Sequence, residues 1–469
     1  MISLSQSQLK EKEVFEYYKK NNPDVLVAPS FSEKEVFSRI GINISLSDRP
    51  QGYLRFHLQD FIVEEVLENR EISEIEPRKN FISSLPVPFT LYANLVKTGI
   101  STPDAINFIA DYLEIKSNKI GHAGLKDVKA LTSQRIAFPN INLEILEKIK
   151  EISSPKFFLT NFILGKGSIN PGQLFGNRFT IFIRTKEKAD EKWLSQYSYR
   201  LGKQGFLNFY HIQRFGTPRF LSHFFGKLIF QGKYKETILA FLTMPGLKEI
   251  PLIKDRRQEA RTFFEDWEKM EKIFEEFPYT FRNEIRLLSY LKQNPKNFIG
   301  ALIFFRDQTT LWVYAYTSYL FNLVLSLKEI ELPEKIPILS EDLRDQKIYE
   351  FWLEKDEIEN FKKNLFPFKF IKSKRRFVKT KVFPKNVLFK ILPEGVILSF
   401  ILEKGVYATT FLMNFFEISQ GLPLPEWVDT QESDIKDILG IGSVKEVKKI
   451  LGESTLLGIS EDKIKEGKN

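Results

Sequence analysis

Gly121-His122-Ala123-Gly124-Leu125-Lys126-Asp127-Val128-Lys129-Ala130-Leu131-Thr132-Ser133-Gln134 is the stretch on which the reading of this chain turns. Gly121 and Gly124 let the backbone bend tightly beside a ligand. An acid, Asp127, directly follows a cation, Lys126, and polar Thr132 and Gln134 then fall at alternating positions. By residue type alone the segment also reads as a surface turn with Asp127 as its cap.

Regular structure is expected on both sides. Leu54, Phe56 and Leu58 alternate with polar residues and Phe61-Ile62-Val63 come next, which predicts half-buried extended chain over Gly52–Leu67. Thr102 as N-cap and Pro103 at the first helical position open a helix with Ile106, Ile109 and Leu113 on one face. Leu143, Leu146, Ile149 and Ile152 predict a second, short helix. Strands are predicted at Phe179–Arg184, Gly395–Leu402 and Val406–Leu412, and extended chain at Phe206–Arg214.

After about residue 230 the pattern turns helical. Phe264, Trp267, Met270, Ile273 and Phe277 form a stripe that predicts one long amphipathic helix, and Ile285–Leu291 continues in helical register. Lys372–Lys381, with six basic residues in ten, closes this middle part. The simplest architecture is a strand-rich domain interrupted by a helix-richer insertion. Gln8–Lys20 reads as a helix in a charged N-terminal appendage, and Gly421–Asn469 as a charged, weakly helical tail.

Composition narrows the chemistry. The 469 residues exceed what one hydrophobic core usually serves. A net charge of +9 fits a polyanionic partner. The chain has no Cys, so disulfides, thiol nucleophiles and cysteine zinc sites are excluded, and the four His residues show no metal-ligand spacing. Neither metal nor cofactor is expected. The polar start of the chain is unlike a secretory signal, and the longest apolar stretch, Leu311–Leu325, contains Thr317, Ser318 and Asn322 and is too short for a bilayer. It is read as a buried helix in a cytoplasmic protein without membrane contact.

Ala123–Gln134 resembles the AGxKDxxAxTxQ signature of the TruD family of pseudouridine synthases, and further blocks occur in that family's order. Leu54–Glu65 is similar to its early basic and Asp-Phe-x-Val-x-Glu block, Gly172–Arg184 to GxLxGNxFxxxxR and Gly205–Gly216 to GxxNYFGxQRFG. Tyr314–Leu325 resembles AxxSxLFNxxL, and Arg375-Arg376 with Leu402–Thr409 the closing region. Three departures stand out: Val128 where a basic residue is usual, Asn208-Phe209-Tyr210-His211 for Asn-Tyr-Phe-Gly, and Leu402-Glu403-Lys404-Gly405 for Leu-Pro-x-Gly.

The resemblance implies an α+β pseudouridine-synthase core, a mixed and largely antiparallel sheet interrupted by a helix-richer insertion. The expected parts are an extension over residues 1–45, a catalytic domain over 46–229, an inserted domain over 230–382, closing strands over 383–425 and a tail over 426–469. It implies isomerisation of a tRNA uridine, in this family usually uridine 13 of the D-arm, with Asp127 as catalytic residue. Tyr210 would stack on the target base, Asn208 hold Asp127 or the base edge, and Arg55 stand near the carboxylate or a phosphate. Lys126, Gln134, Arg375 and Arg376 complete the expected substrate contacts. A carboxylate suits the reaction because it can attack C1′ or take a sugar proton, and later help strip the C5 proton. A homologue that binds RNA without turnover is the alternative. A hydrolase built on Glu64 and Glu65 is disfavoured, since neighbours on a strand point to opposite faces.

Overall fold

The computed structural model describes residues 4–46, 48–78, 89–141, 143–327, 331–372, 374–421 and 423–452. The chain divides into two units, one of residues 1–45 with 207–381 and the other of 46–206 with 382–469. Residues 1–45 thus group with the middle of the chain, and the division falls at 206/207 rather than near 230.

The second unit is built on eleven strands: β1 (Gln51–Leu54), β2 (Phe61–Val66), β3 (Phe89–Thr98), β4 (Gly121–His122), β5 (Leu131–Ile141), β6 (Ser153–Ser154), β7 (Phe157–Gly165), β8 (Gly176–Thr185), β9 (Lys385–Leu392), β10 (Gly395–Glu403) and β11 (Glu417–Ser419). The main path runs β9-β10-β8-β2-β5-β3-β7-β6. β2 pairs β5 in parallel, with Ile62 opposite Leu131 and Glu64 opposite Ser133, and β1 pairs β11 in parallel. The other pairings are antiparallel, so the sheet is mixed and largely antiparallel.

Side-chain alternation assigns the layers. Phe61, Val63, Ile181 and Ile183 pack with Leu194 and Leu201 of the helix Glu191–Gln204 and with Phe411. Leu91, Leu95 and Phe138 pack with Ile106 and Ile109 of the helix Thr102–Tyr112 and Leu146 and Ile149 of the helix Leu143–Glu151. Ile62, Phe182 and Ile397 point to the opposite face, where Ile435, Val444 and Val447 cover them. Residues 426–452 are therefore a packed layer of this unit.

Several expectations are corrected. Ser101, not Thr102, caps the first helix, its hydroxyl accepting the Asp104 N–H at 3.2 Å. Residues 408–412 form a short helix rather than a strand, because Ala408, Phe411, Leu412 and Phe415 bury one helical face, with the Phe411 ring 4.4 Å from that of Phe400. The long helix over 264–277 is only Trp267–Phe274, since Glu265 has φ +77° and Asp266 caps the helix at its start. Phe206–Arg214 contains a two-residue strand, Phe206–Leu207, and a 3-10 turn, Ile212–Phe215.

The first unit is mainly helical, with a two-stranded sheet of Lys335–Pro337 and Phe377–Lys379. Its central helix, Arg306–Leu325, packs on Ser222–Phe230 at Gly226, where a Cβ would lie 2.1 Å from the Trp312 carbonyl oxygen. The N-terminal helix Leu4–Asn21 joins through Glu11, whose carboxylate accepts the N–H groups of Tyr279 and Thr280 at 2.9 and 2.8 Å. Among the described residues no helix is long and apolar enough to cross a membrane.

Buried charge fastens the C-terminal layer of the second unit. The Lys436 ammonium, fully buried, lies 2.8 Å from Glu64 Oε1 and 2.6 Å from Glu76 Oε1. Glu64 also meets Arg178 Nη2 at 2.7 Å. Removing Lys436 leaves Glu64 with the Arg178 cation alone among the described residues and takes the cation from the largely buried Glu76. Lys436→Met should therefore cost about 3–5 kcal/mol of unfolding free energy, read from urea or thermal unfolding.

Candidate active site

The loop of residues 123–130 joins β4 to β5 in the second unit, and buried polar groups hold it from below. β3 is apolar except for a few residues, one of which is Lys97, fully buried near its end. The Lys97 ammonium donates to the carbonyl oxygens of Ile100 at 3.0 Å, Lys126 at 3.3 Å and Asp127 at 2.9 Å. Three N–H groups meet three carbonyls. Desolvation lowers the Lys97 pKa to about 8, against the opposing pull of Asp127 and with a small push from Lys126.

Thr102 and Gln134 add a second clasp. Thr102 Oγ1 donates to Gln134 Oε1 at 2.9 Å and accepts the Lys126 N–H at 3.1 Å, while Gln134 Nε2 donates to the Gly124 carbonyl at 2.9 Å. This use of its hydroxyl is why Thr102 does not cap its own helix. The loop ends are tied by Gly99 N–H to the Val128 carbonyl at 3.1 Å and Gly172 N–H to the Ala123 carbonyl at 2.7 Å.

Lys126 and Asp127 then point in different directions. The Lys126 ammonium turns inward to Glu65 Oε2 at 2.7 Å, both groups nearly or fully buried. Asp127 turns outward, with 48% of its side chain exposed and Oδ2 3.0 Å from Arg55 Nη2. Arg55 stacks its guanidinium 3.9 Å from the Phe61 ring centroid and has φ +61°, a left-handed conformation that costs a non-glycine residue energy. Burial lowers the Arg55 pKa, and Asp127 opposes that shift.

The two glycines of the segment differ. A Cβ on Gly121 would lie 2.6 Å from the Ile169 carbonyl oxygen, so this residue is small because the protein's own backbone crosses it. A Cβ on Gly124 would meet nothing within 4 Å.

Of the residues expected at the site, the structure brings Arg55 and Asp127 together directly. Lys126 and Gln134, expected to touch substrate, have their polar ends engaged by Glu65, Thr102 and the Gly124 carbonyl. The remaining four belong to the first unit. Tyr210 is 7% exposed, with its ring edge-on to Phe321 at 5.5 Å, the Arg214 guanidinium 5.3 Å from its centroid and its hydroxyl 3.2 Å from Arg376 Nη2. Arg214 thus lies over the ring on which a base was expected to stack. Asn208 donates from Nδ2 to the Lys379 carbonyl at 3.0 Å. Arg375 Nε is 2.8 Å from Asp345 Oδ1.

The roles of Lys97, Thr102 and Asn322 are not read from sequence, where Thr102 stands only as a helix cap and Asn322 only as a polar residue in an apolar run. Asn322, fully buried in the central helix, accepts the Tyr210 N–H at 2.9 Å and donates to the Tyr210 and Ile40 carbonyls at 2.8 Å each. A side chain thus takes both backbone groups of Tyr210, while the Asn208 N–H donates to the Thr380 carbonyl at 2.9 Å. For Lys97 and Asn322 the available signal was a polar residue set among apolar neighbours. Among the described residues no three His, Asp or Glu are grouped to hold a metal ion.

The arrangement can present one carboxylate, oriented by a cation, on a loop with little freedom to move. Comparison with known proteins supplies the family. The family model described as tRNA pseudouridine synthase D (TruD) matches residues 39–336, more than half of the chain. A protein of Methanosarcina barkeri named "Probable tRNA pseudouridine synthase D" is 28% identical over 302 residues, covering 62% of this chain and 64% of that protein. Another of Methanocaldococcus jannaschii, named "Probable tRNA pseudouridine synthase D 1", is 28% identical over 391 residues, covering 78% of this chain and 95% of that protein. The crystal structure of a TruD protein from Methanosarcina mazei superposes with a TM-score of 0.60 at 22% identity, over 82% of this chain and 98% of that one, and so shares the fold. This chain belongs to the tRNA pseudouridine synthase D (TruD) family.

Proposed function

We propose that this protein isomerises a uridine of tRNA to pseudouridine, at uridine 13 of the D-arm, with Asp127 as the catalytic carboxylate. The observation that carries the reading is the exposed Asp127 carboxylate beside Arg55, on a loop whose other anchors are buried. The reaction breaks the N1–C1′ bond, with the electron pair leaving on uracil. The ring turns, C5 bonds to C1′, and the C5 proton is lost while N1 gains one. The Asp127 carboxylate answers the electron deficiency at the sugar, by attack on C1′ or by taking a sugar proton, and later accepts the C5 proton.

The chain's other residues set up that step. Lys97 fixes the backbone on which Asp127 stands, so the carboxylate loses little freedom when substrate arrives. Arg55 orients Asp127 Oδ2 and supplies positive charge for the target nucleotide's phosphate. The target base must leave its stack, at a cost of a few kcal/mol. Stacking on an aromatic returns about 1–3 kcal/mol per base, and Tyr210 is the ring proposed for it, with Asn208 steadying the chain beside it. Arg375 and Arg376 lie in a basic run suited to the RNA backbone. A cytoplasmic setting belongs to the same reading.

Pseudouridine mapping of tRNA incubated with the protein tests the activity, and tRNA bound tightly but never modified would sink it in favour of a binding protein. Asp127→Asn keeps size and polarity but removes the charge. Turnover should fall by at least about 10²–10⁴-fold while tRNA affinity stays within about twofold. Retained product would exclude Asp127 from the chemistry.

Lys97 carries a pH prediction. Its pKa of about 8 makes it cationic below that pH and neutral above, and the neutral amine has one proton too few for its three carbonyls. Turnover at saturating tRNA should decline as pH rises through about 8. Stability should move the other way. Between about 8 and the usual 10.5 the unfolded chain holds the proton that the folded chain has released, so this group's contribution to stability grows with pH. Lys97→Met should lower the rate, by about 10²-fold, and remove that alkaline limb. A limb unchanged in the variant would assign it to another group.

A further inference from the structure

The first unit contains a cavity of about 410 Å³, within the range of about 300–1,000 Å³ usual for small-ligand sites. Its inner wall is apolar, with Phe230, Val313, Leu339 and Leu365 among the lining side chains. Its rim carries five cations, Arg214, Lys372, Lys374, Arg375 and Arg376, and no carboxylate lines it. Arg375 pairs with Asp345 through Nε. The other four cations have no carboxylate partner among the described residues. The rim is joined to the wall, because the Tyr314 hydroxyl donates to the Lys372 carbonyl at 3.3 Å.

We propose that this cavity receives one unstacked nucleotide of the tRNA, distinct from the target uridine, with its base against the apolar wall and its phosphate on the cationic rim. An inorganic anion would leave the apolar wall unused, and an apolar ligand would leave four cations uncompensated. A nucleotide satisfies both. Thr317 and Ser318 stand in the same wall, their hydroxyls donating to the Tyr314 carbonyl at 3.0 and 2.7 Å. Ser318 Oγ also accepts from Arg214 Nε at 3.2 Å and keeps one lone pair, and with Thr317 Oγ1 it can accept from a base N–H. The RNA is thus gripped by shape as well as by charge, as unpaired nucleotides in protein pockets commonly are. The inference rests on tRNA being the substrate and deepens that reading.

The test fills the cavity without altering its charge. Ile371→Trp, at a half-buried lining position, is compared with wild type in tRNA affinity across salt concentrations and in steady-state pseudouridine formation. Expected are a loss of about tenfold in tRNA affinity and the same rise in KM, a saturated rate within about twofold, and an unchanged slope of log K against log salt. Lys374→Ala should instead make that slope shallower by about 0.7–0.9. Unchanged affinity in a folded Ile371→Trp protein would reduce the rim to a backbone clamp and overturn the proposal. Collapse of the saturated rate would overturn it by placing the target uridine here. Ultraviolet crosslinking of tRNA to the unmodified protein gives a second reading, independent of any variant. An adduct on the peptide carrying Tyr314 supports the proposal, and adducts restricted to other helices overturn it. If wild type makes no pseudouridine while Ile371→Trp still weakens tRNA binding, the proposed activity fails and the nucleotide site stands.

Discussion

A buried ammonium under the loop of residues 123–130 is the interaction on which the candidate site depends. Placing a cation inside a strand-rich core is costly unless its donors are satisfied. Lys97 meets that condition with three carbonyls, two of them from Lys126 and Asp127. Carbonyls turned under a loop would otherwise lack partners, so each side of the contact answers the other's need. The result is a backbone held from within while the Asp127 carboxylate is left outside. Arg55, in a strained conformation, completes the pair from β1's far end. Strain at such a position is compatible with a residue kept for what it points at.

β2 links this site to the rest of its unit. Glu64 and Glu65 are neighbours, and alternation sends them to opposite faces. Glu65 meets Lys126 beneath the loop, while Glu64 meets Arg178 and the Lys436 of the C-terminal layer. Two adjacent buried carboxylates would repel if they shared one face. Separated by the sheet, Glu65 neutralises Lys126 while Glu64 lies between Arg178 and Lys436. Residues 426–452 are thus an internal part of the sheet's cover, sealed by Ile435, Val444 and Val447.

The helical unit uses the same principle with a neutral group. Asn322 is fully buried in the central helix, and its amide satisfies backbone groups of Ile40 and Tyr210. This occupies the backbone of Tyr210, whose ring faces the Arg214 guanidinium and whose hydroxyl meets Arg376. The cationic rim nearby is left with charges that no carboxylate neutralises among the described residues. Residual charge at a cavity with an apolar wall is a demand for a ligand that carries both characters.

Alternation and helical spacing in the sequence determined β1, β2, β8, β10 and the helix Thr102–Tyr112, and an apolar run marked the buried helix over Leu311–Leu325, while β3, β5, β7 and β9 went unread and the α+β class came with the family resemblance. The residues around Asp127, through their resemblance to a family signature, determined where to look for chemistry. Tertiary structure alone decided that Lys126 points inward and Asp127 outward, that Thr102 and Gln134 clasp the loop, that Lys97 lies beneath it and that the C-terminal segment closes a face of the sheet. It also decided that residues 408–412 coil, because burial of Phe411 against Phe400 outweighs a short pattern that reads as either element. The physical reason is common to all of these. Periodicity reports which side of an element is apolar, a local property. The partner of a buried polar group lies elsewhere in the chain, 30 residues away for Lys97 and Asp127 and 372 for Lys436 and Glu64, and only the folded chain brings the two together.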